Sequence, residues 1–238
     1  MNVESTFDNT VSKAGYWSVI VVIGTVVLSM FLPLDAPEGP FPDRMMWFSS
    51  HLGVFITGWV VQMIAMLTLT GVFAATAWQV RGSNPLSALM ASTALLISLV
   101  AFIIPKFIAI WSIPQMVLAS ATVSANVAVA EQLFQLLNPS LPYSLFTSFD
   151  YLGFWMYGVF GLLLAPALFR LSLSAKIAAV ALGLFGLLFH ILFVAVLTGK
   201  VLSADIGLLF ESIGLLLLVP VISMAFFFRT AIKDAKIA

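Results

Sequence analysis

The sequence predicts an all-α polytopic membrane protein, a bundle of six transmembrane helices with one further amphipathic helix lying on or re-entering the membrane surface. Three observations predict it. Of 238 residues, 62% are hydrophobic and only 8% are charged, against about 25% charged in a typical soluble domain. Six apolar runs reach the roughly 20 residues needed to cross a hydrocarbon core. No internal repeat and no low-complexity linker divides them, so residues 1–238 read as a single transmembrane helical domain.

The spans fall at about residues 15–34, 51–78, 85–110, 143–169, 177–197 and 204–228. The second is bracketed by Trp47 and Trp78, about 46 Å of helix apart, roughly the spacing of the two aromatic belts of a bilayer. The third starts clearly, because Asn84 can cap free amides and Pro85 sits where a missing N–H costs nothing. Pro105 should kink or loosen its far end. The connector 35–44 is acidic and holds Pro37, Pro40 and Pro42, so it is expected to be an exposed turn.

Residues 114–137 are apolar on average yet carry Gln115, Thr122, Asn126, Glu131, Gln132 and Gln135. At helical spacing Met116, Val123, Val127, Ala130, Phe134 and Leu137 share one face, and Ser120, Ser124, Glu131 and Gln135 another. That is the pattern of an amphipathic interfacial helix. With six spans, one side collects Lys13, Arg81, Arg170, Lys176, Arg229, Lys233 and Lys236, against Arg44, Lys106 and Lys200 on the other. We therefore expect both termini in the cytoplasm and the chain in the bacterial cytoplasmic membrane. A seventh crossing through 114–137 would also leave most of this charge inside, so the polar content of that segment, not the charge rule, favours six.

Composition excludes several classes. The formal net charge is zero and the ten Lys and Arg are scattered, so there is no basic stripe for nucleic acid. The absence of cysteine rules out disulfides, thiolate metal sites, iron–sulfur ligation and a catalytic thiol. The first sixteen residues carry Glu4, Asp8 and Lys13 and lack an apolar core, which does not fit a signal peptide. Membrane lipids, and a membrane-protein partner, are the expected company.

The stretch Phe149-Asp150-Tyr151-Leu152-Gly153-Phe154-Trp155-Met156-Tyr157-Gly158, continuing through an apolar run to Arg170, resembles the fourth and fifth spans of a bacterial family of uncharacterised six-helix membrane proteins. In that family, too, a polar-containing helical segment precedes the fourth span. The resemblance covers the middle third of the chain and implies six spans; it implies no activity.

Five ionisable residues inside or at the edge of the apolar runs mark the candidate site: His51, Lys106, Asp150, His190 and Glu211. Charge in hydrocarbon is costly, so such residues are usually shielded, paired and functional. Six spans place all five in the outer half of the membrane. Gly207, Glu211 and Gly214 share one stripe and Gly183, Gly186 and His190 another, and small residues mark faces where helices approach closely. Glu211 and His190 are thus expected to point into the bundle.

Three readings follow. In the first, Glu211, His190, Asp150 and Lys106 line an outward pocket for a small polar ligand or cation, serving transport or sensing. In the second, the chain is a structural or accessory subunit whose polar residues pair internally or with a partner. In the third, His51, His190 and Glu211 contribute to a metal or haem site. No HExxH or GxSxG motif occurs in the sequence, so catalysis is not the expected role, and no cofactor is specified.

Overall fold

The computed structural model describes residues 3–122 and 127–237, and the described residues contain helices and turns but no strand. The α-helices are α1 (Val3–Ser29), α2 (Phe41–Val80), α3 (Pro85–Thr122), α4 (Val127–Leu136), α5 (Leu145–Leu168), α6 (Leu173–Leu197), α7 (Ile206–Gly214) and α8 (Leu218–Ile237). Short 3₁₀ turns at Ser203–Asp205 and Leu215–Leu217 flank α7. Six helices among the described residues are long and apolar enough to cross a membrane, α7 and α8 together forming the sixth.

Local chemistry sets most boundaries. Asn84 Oδ1 accepts from the Ser87 amide at 3.2 Å, and the hydroxyls of Ser144 and Ser172 cap α5 and α6 in the same way, each satisfying a donor with no partner inside its own helix. Helix α6 stops at Gly199, whose φ of 68° lets Lys200 N–H reach Ala195 O at 2.8 Å and Gly199 N–H reach Val196 O at 3.0 Å. This paired closure needs the left-handed conformation that glycine adopts without penalty.

Several boundaries differ from the sequence expectation, and the first helix, α1, runs over Val3–Ser29 rather than 15–34. Helix α2 begins at Phe41 rather than near residue 51, because prolines at the first turn lack only an N–H that the helix would leave unsatisfied. The connector therefore lies at residues 30–40 instead of 35–44, and it is only partly exposed, since Ala36 is buried within it. Helix α3 runs through Pro105 and Pro114 to Thr122, so the single amphipathic helix expected over 114–137 becomes the end of α3 plus the ten-residue α4. Ala109, Ile113 and Val117 are buried on one face of α3, and this packing outweighs the hydrogen bonds the prolines remove. In α4, Phe134 is buried while Glu131, Gln132 and Gln135 are exposed, as amphipathicity requires. The expected face assignments of Ser120, Thr122, Val123, Ser124, Asn126 and Val127 lie outside the described side chains. Ten residues are too few to span a bilayer, so α4 is not a seventh crossing.

The spans pack in chain order around a ring: α1 on α2, α2 on α3, α3 on α5, α5 on α6, α6 on α8, and α8 back on α1. Neighbours are antiparallel. We call the end bearing residue 3 proximal and the opposite end, with loops 30–40, 137–144 and 198–205, distal. The interior of the ring is filled by aromatic side chains, with Phe73, Phe102, Tyr157, Phe160, Phe185 and Phe228 fully buried. Tyr157 shares a 2.8 Å hydrogen bond with Thr70 Oγ1, which satisfies a hydroxyl that burial would otherwise penalise.

Helix α2 has 40 residues and α3 has 38, giving each about 60 Å of length against a hydrocarbon core of about 30 Å. Their surplus stands at the distal end. There Met45, Phe48, Phe55, Trp59, Ile113, Phe134 and Phe146 form a second buried cluster. Asp35 fastens it, accepting from Arg44 Nη2 at 2.6 Å, from the Ala36 amide at 2.8 Å and from the Ser140 hydroxyl. At the proximal end Asp8 accepts from Arg81 and from Trp78 Nε1, each at 2.7 Å, and Arg81 lies 3.9 Å above the Trp78 ring. The amino-terminal turns of α1 are thereby tied to the end of α2.

Candidate functional site

Lys106 of α3 and Asp150 of α5 form a buried ion pair. Their side chains are 4% and 21% exposed. The ammonium sits among three rings, 5.1 Å from the centroid of Phe102, 5.9 Å from Phe146 and 6.0 Å from Trp59, so π faces and one carboxylate take over from water. Phe102 belongs to the membrane core and Trp59 and Phe146 to the distal cluster. The pair thus sits at the seam between the two clusters. Lys106 does not reach along its stem to an interface; it turns inward.

Beside this pair lies a cavity of about 980 Å³ between α1, α2, α5, α7 and α8. Its wall includes the carboxylates of Glu38, Asp150 and Glu211, with Tyr151, Thr147, Ser140, Ser203 and Ser212, and no Lys or Arg among the described residues. Asp150 is the one wall carboxylate with a cationic partner among the described residues, and Lys106 approaches it from outside the lining. Tyr151 stacks on Phe210 at a centroid separation of 4.3 Å, joining α5 to α7 across the cavity.

The sixth span is interrupted where it lines this space. Pro220 has no N–H to donate to the carbonyl of Leu216 and its ring crowds that carbonyl, and the preceding turn, Leu215–Leu217, tightens to 3₁₀. Gly207 and Gly214 do not mark a close helix approach as the stripe suggested: a Cβ added at either meets nothing within 4 Å. They face the cavity, with Glu211 between them.

The two histidines stand elsewhere. His190 is half-buried against α5, where Nε2 accepts from Trp155 Nε1 at 3.0 Å and Nδ1 lies 2.7 Å from Gly186 O. A carbonyl only accepts, so Nδ1 carries the proton and both ring nitrogens are engaged. His190 is not part of the cavity wall; it ties α6 to α5. The stripe it shares with Gly186 does mark a close approach, since a Cβ on Gly186 would lie 2.6 Å from Gly158 O. His51 is exposed on α2, stacked on Trp47 at 4.6 Å, with Nδ1 3.0 Å from Trp47 O.

Of the five residues singled out in the sequence, the structure gathers Asp150, Glu211 and, through its ion pair, Lys106. His190 and His51 are satisfied locally. No three His, Asp or Glu side chains among the described residues gather closely enough to hold a metal ion, so His51, His190 and Glu211 do not form the metal set considered above. Sequence reading missed Glu38, which belongs to the acidic connector, and Tyr151, which carried no role beyond its place in the stretch 149–158. It also missed Trp155, the hydrogen-bond partner of His190; no spacing rule pairs residues on different helices.

Fold and site together define an integral membrane protein, an all-α bundle whose distal half holds an acidic, partly apolar cavity. No protein-family model, curated protein or solved structure matches this chain.

Proposed function

We propose that the distal cavity binds a small cationic or polar ligand, in a protein of the bacterial cytoplasmic membrane that serves transport or sensing from the outer side. The observation that carries this reading is a wall with three carboxylates and, among the described residues, no Lys or Arg, in a cavity at the upper end of the roughly 300–1,000 Å³ range of small-molecule sites. Glu38 and Glu211 make no ion pair or side-chain hydrogen bond with the described residues, so their charge is available to a ligand. Lys106 offsets Asp150 and keeps a carboxylate beside the cavity despite the cost of burying it. The six-helix bacterial family resembled by residues 149–170 is compatible with this reading and supplies no ligand.

Thermal melting of purified protein against alkali cations and small amines tests it. Glu211→Gln is expected to weaken the response about tenfold, the worth of one charge-assisted contact of about 1.4 kcal/mol. His190→Ala should lower basal stability and leave the half-saturating concentration unchanged. Equal half-saturation in wild type and Glu211→Gln would remove Glu211 from the site.

Orientation has its own test. Seven Lys and Arg cluster toward the proximal end in the sequence order, which favours cytoplasmic termini. A reporter inserted at Ser83, between α2 and α3, is therefore expected in the cytoplasm; an external reporter would reverse the orientation and turn the cavity inward.

The accessory-subunit reading is favoured by one observation, the distal surplus of α2 and α3 capped by α4, which offers a surface beyond the bilayer. A partner that co-purifies and is lost when α4 surface residues such as Gln132 are replaced would support it.

A further inference from the structure

We infer that the ligand of the distal cavity is a cationic amphiphile, a single alkyl chain bearing an ammonium head, which enters sideways from the bilayer. The inference rests on the proposed reading of this cavity as a binding site and names its ligand class.

Polar and apolar groups are segregated along the cavity. Glu38, Ser140 and Ser203 belong to or adjoin the distal loops, and Asp150 and Glu211 come about two turns further in. Beyond them the wall is apolar, with Val22, Leu69 and Val221. From Glu211 to Val221 the sixth span advances about 15 Å. A hydrated metal ion or a compact polar solute would leave that apolar length uncovered. An alkyl chain covers it, at roughly 0.8 kcal/mol of favourable transfer per methylene relative to water.

The side entrance follows from the packing. Helix α1 packs on α2 and α8, whereas α7 packs on α6 and its flanking 3₁₀ turns. Both α1 and α7 line the cavity, yet they share no extended packing among the described residues, so the ring is open between them in its distal half. At this opening Ile23, Leu208 and Leu215 line the cavity and are also exposed on the outer surface. The apolar wall is thus continuous with the surface that faces lipid. Charge complementarity selects the head: an anionic head would meet three carboxylates and no cation in the wall, while an ammonium would find Glu38 and Glu211 unpaired.

The test uses the full-length protein in phosphatidylcholine nanodiscs, with dodecylamine, dodecanol and laurate compared at equal mole fraction and butylamine as the chainless head. Dodecylamine is expected to raise the melting temperature with a half-maximal mole fraction about tenfold or more below those of dodecanol, laurate and butylamine, a difference of one polar contact or a few buried methylenes. Glu211→Gln should erase the preference for the amine over the alcohol. Gly214→Leu, whose added Cβ meets nothing within 4 Å and whose side chain extends into the cavity it lines, should melt like wild type without ligand and weaken dodecylamine about tenfold or more.

The failures are distinguishable. Equal responses to butylamine and dodecylamine, both weakened by Glu211→Gln, would overturn the amphiphile and keep the cationic site. Equal responses to dodecanol and dodecylamine would overturn recognition of the head. No response to any amine would overturn this inference, and no response to the alkali cations either would overturn the reading beneath it.

Discussion

Lys106→Ala is expected to destabilise the folded protein by about 3–5 kcal/mol, and the double replacement Lys106→Met with Asp150→Leu to recover most of that loss. Removing one member of a buried pair strands the other charge, and the surroundings here offer Asp150 no second cation. Its one ion-pair partner among the described residues is Lys106. The reverse single, Asp150→Asn, leaves an ammonium among Phe102, Trp59 and Phe146, whose faces attract it by only about 1–2 kcal/mol. When both charges go, neither desolvation cost remains, and apolar side chains of similar length can occupy the seam between the two clusters. Unfolding titrations of Lys106→Met, Asp150→Leu and the double variant close a thermodynamic cycle. Simple addition of the two losses in the double variant would show that the pair is not coupled. The double variant also separates stability from binding, since it should fold while losing a carboxylate from the cavity wall.

The second large effect is expected at the α5–α6 contact. Gly161→Ala and Gly186→Ala should each cost about 1–3 kcal/mol or more, the range for forcing atoms into a packed interior. A methyl at position 161 would lie 2.6 Å from the carbonyl oxygen of Leu182, and one at position 186 would lie 2.6 Å from that of Gly158. Backbone atoms cannot rotate away as a side chain can, so the helices must separate. Separation would also lengthen the Trp155–His190 hydrogen bond, 3.0 Å in the native bundle. Gly183→Ala is the control, because its added methyl meets Ala165 Cβ at an ordinary 3.6 Å. The same unfolding titration applies, and wild-type stability of both Gly161→Ala and Gly186→Ala would refute the close approach.

These two cases show how far the chain could be read before its fold was known. The glycines at 183 and 186 signalled a tight face from their spacing; the structure confirms a close approach at Gly186, whereas Gly183 meets Ala165 at an ordinary distance. Gly207 and Gly214 carried the same signal and border a cavity instead. Spacing reports which residues share a face, whereas what that face meets depends on the neighbouring helix. Lys106 was equally ambiguous, since a long stem near a helix end can reach an interface or turn inward. The position of Asp150 on the adjacent helix, 44 residues later in the chain, settles which.

The sequence by itself determined the solvent this protein lives in, the positions of most of its apolar spans, the Asn84 cap of α3 and the residues at which charge enters those spans. Those follow from composition, run length and local hydrogen bonding, which act within a turn or two of helix. The tertiary structure alone decided which charges meet. It paired Lys106 with Asp150, gathered Glu38 and Glu211 around one cavity, and left His190 to Trp155 and His51 to Trp47. The physical reason is that helix periodicity fixes an azimuth within one helix, while the rotation and depth of each helix relative to its neighbours are set by packing across the whole ring.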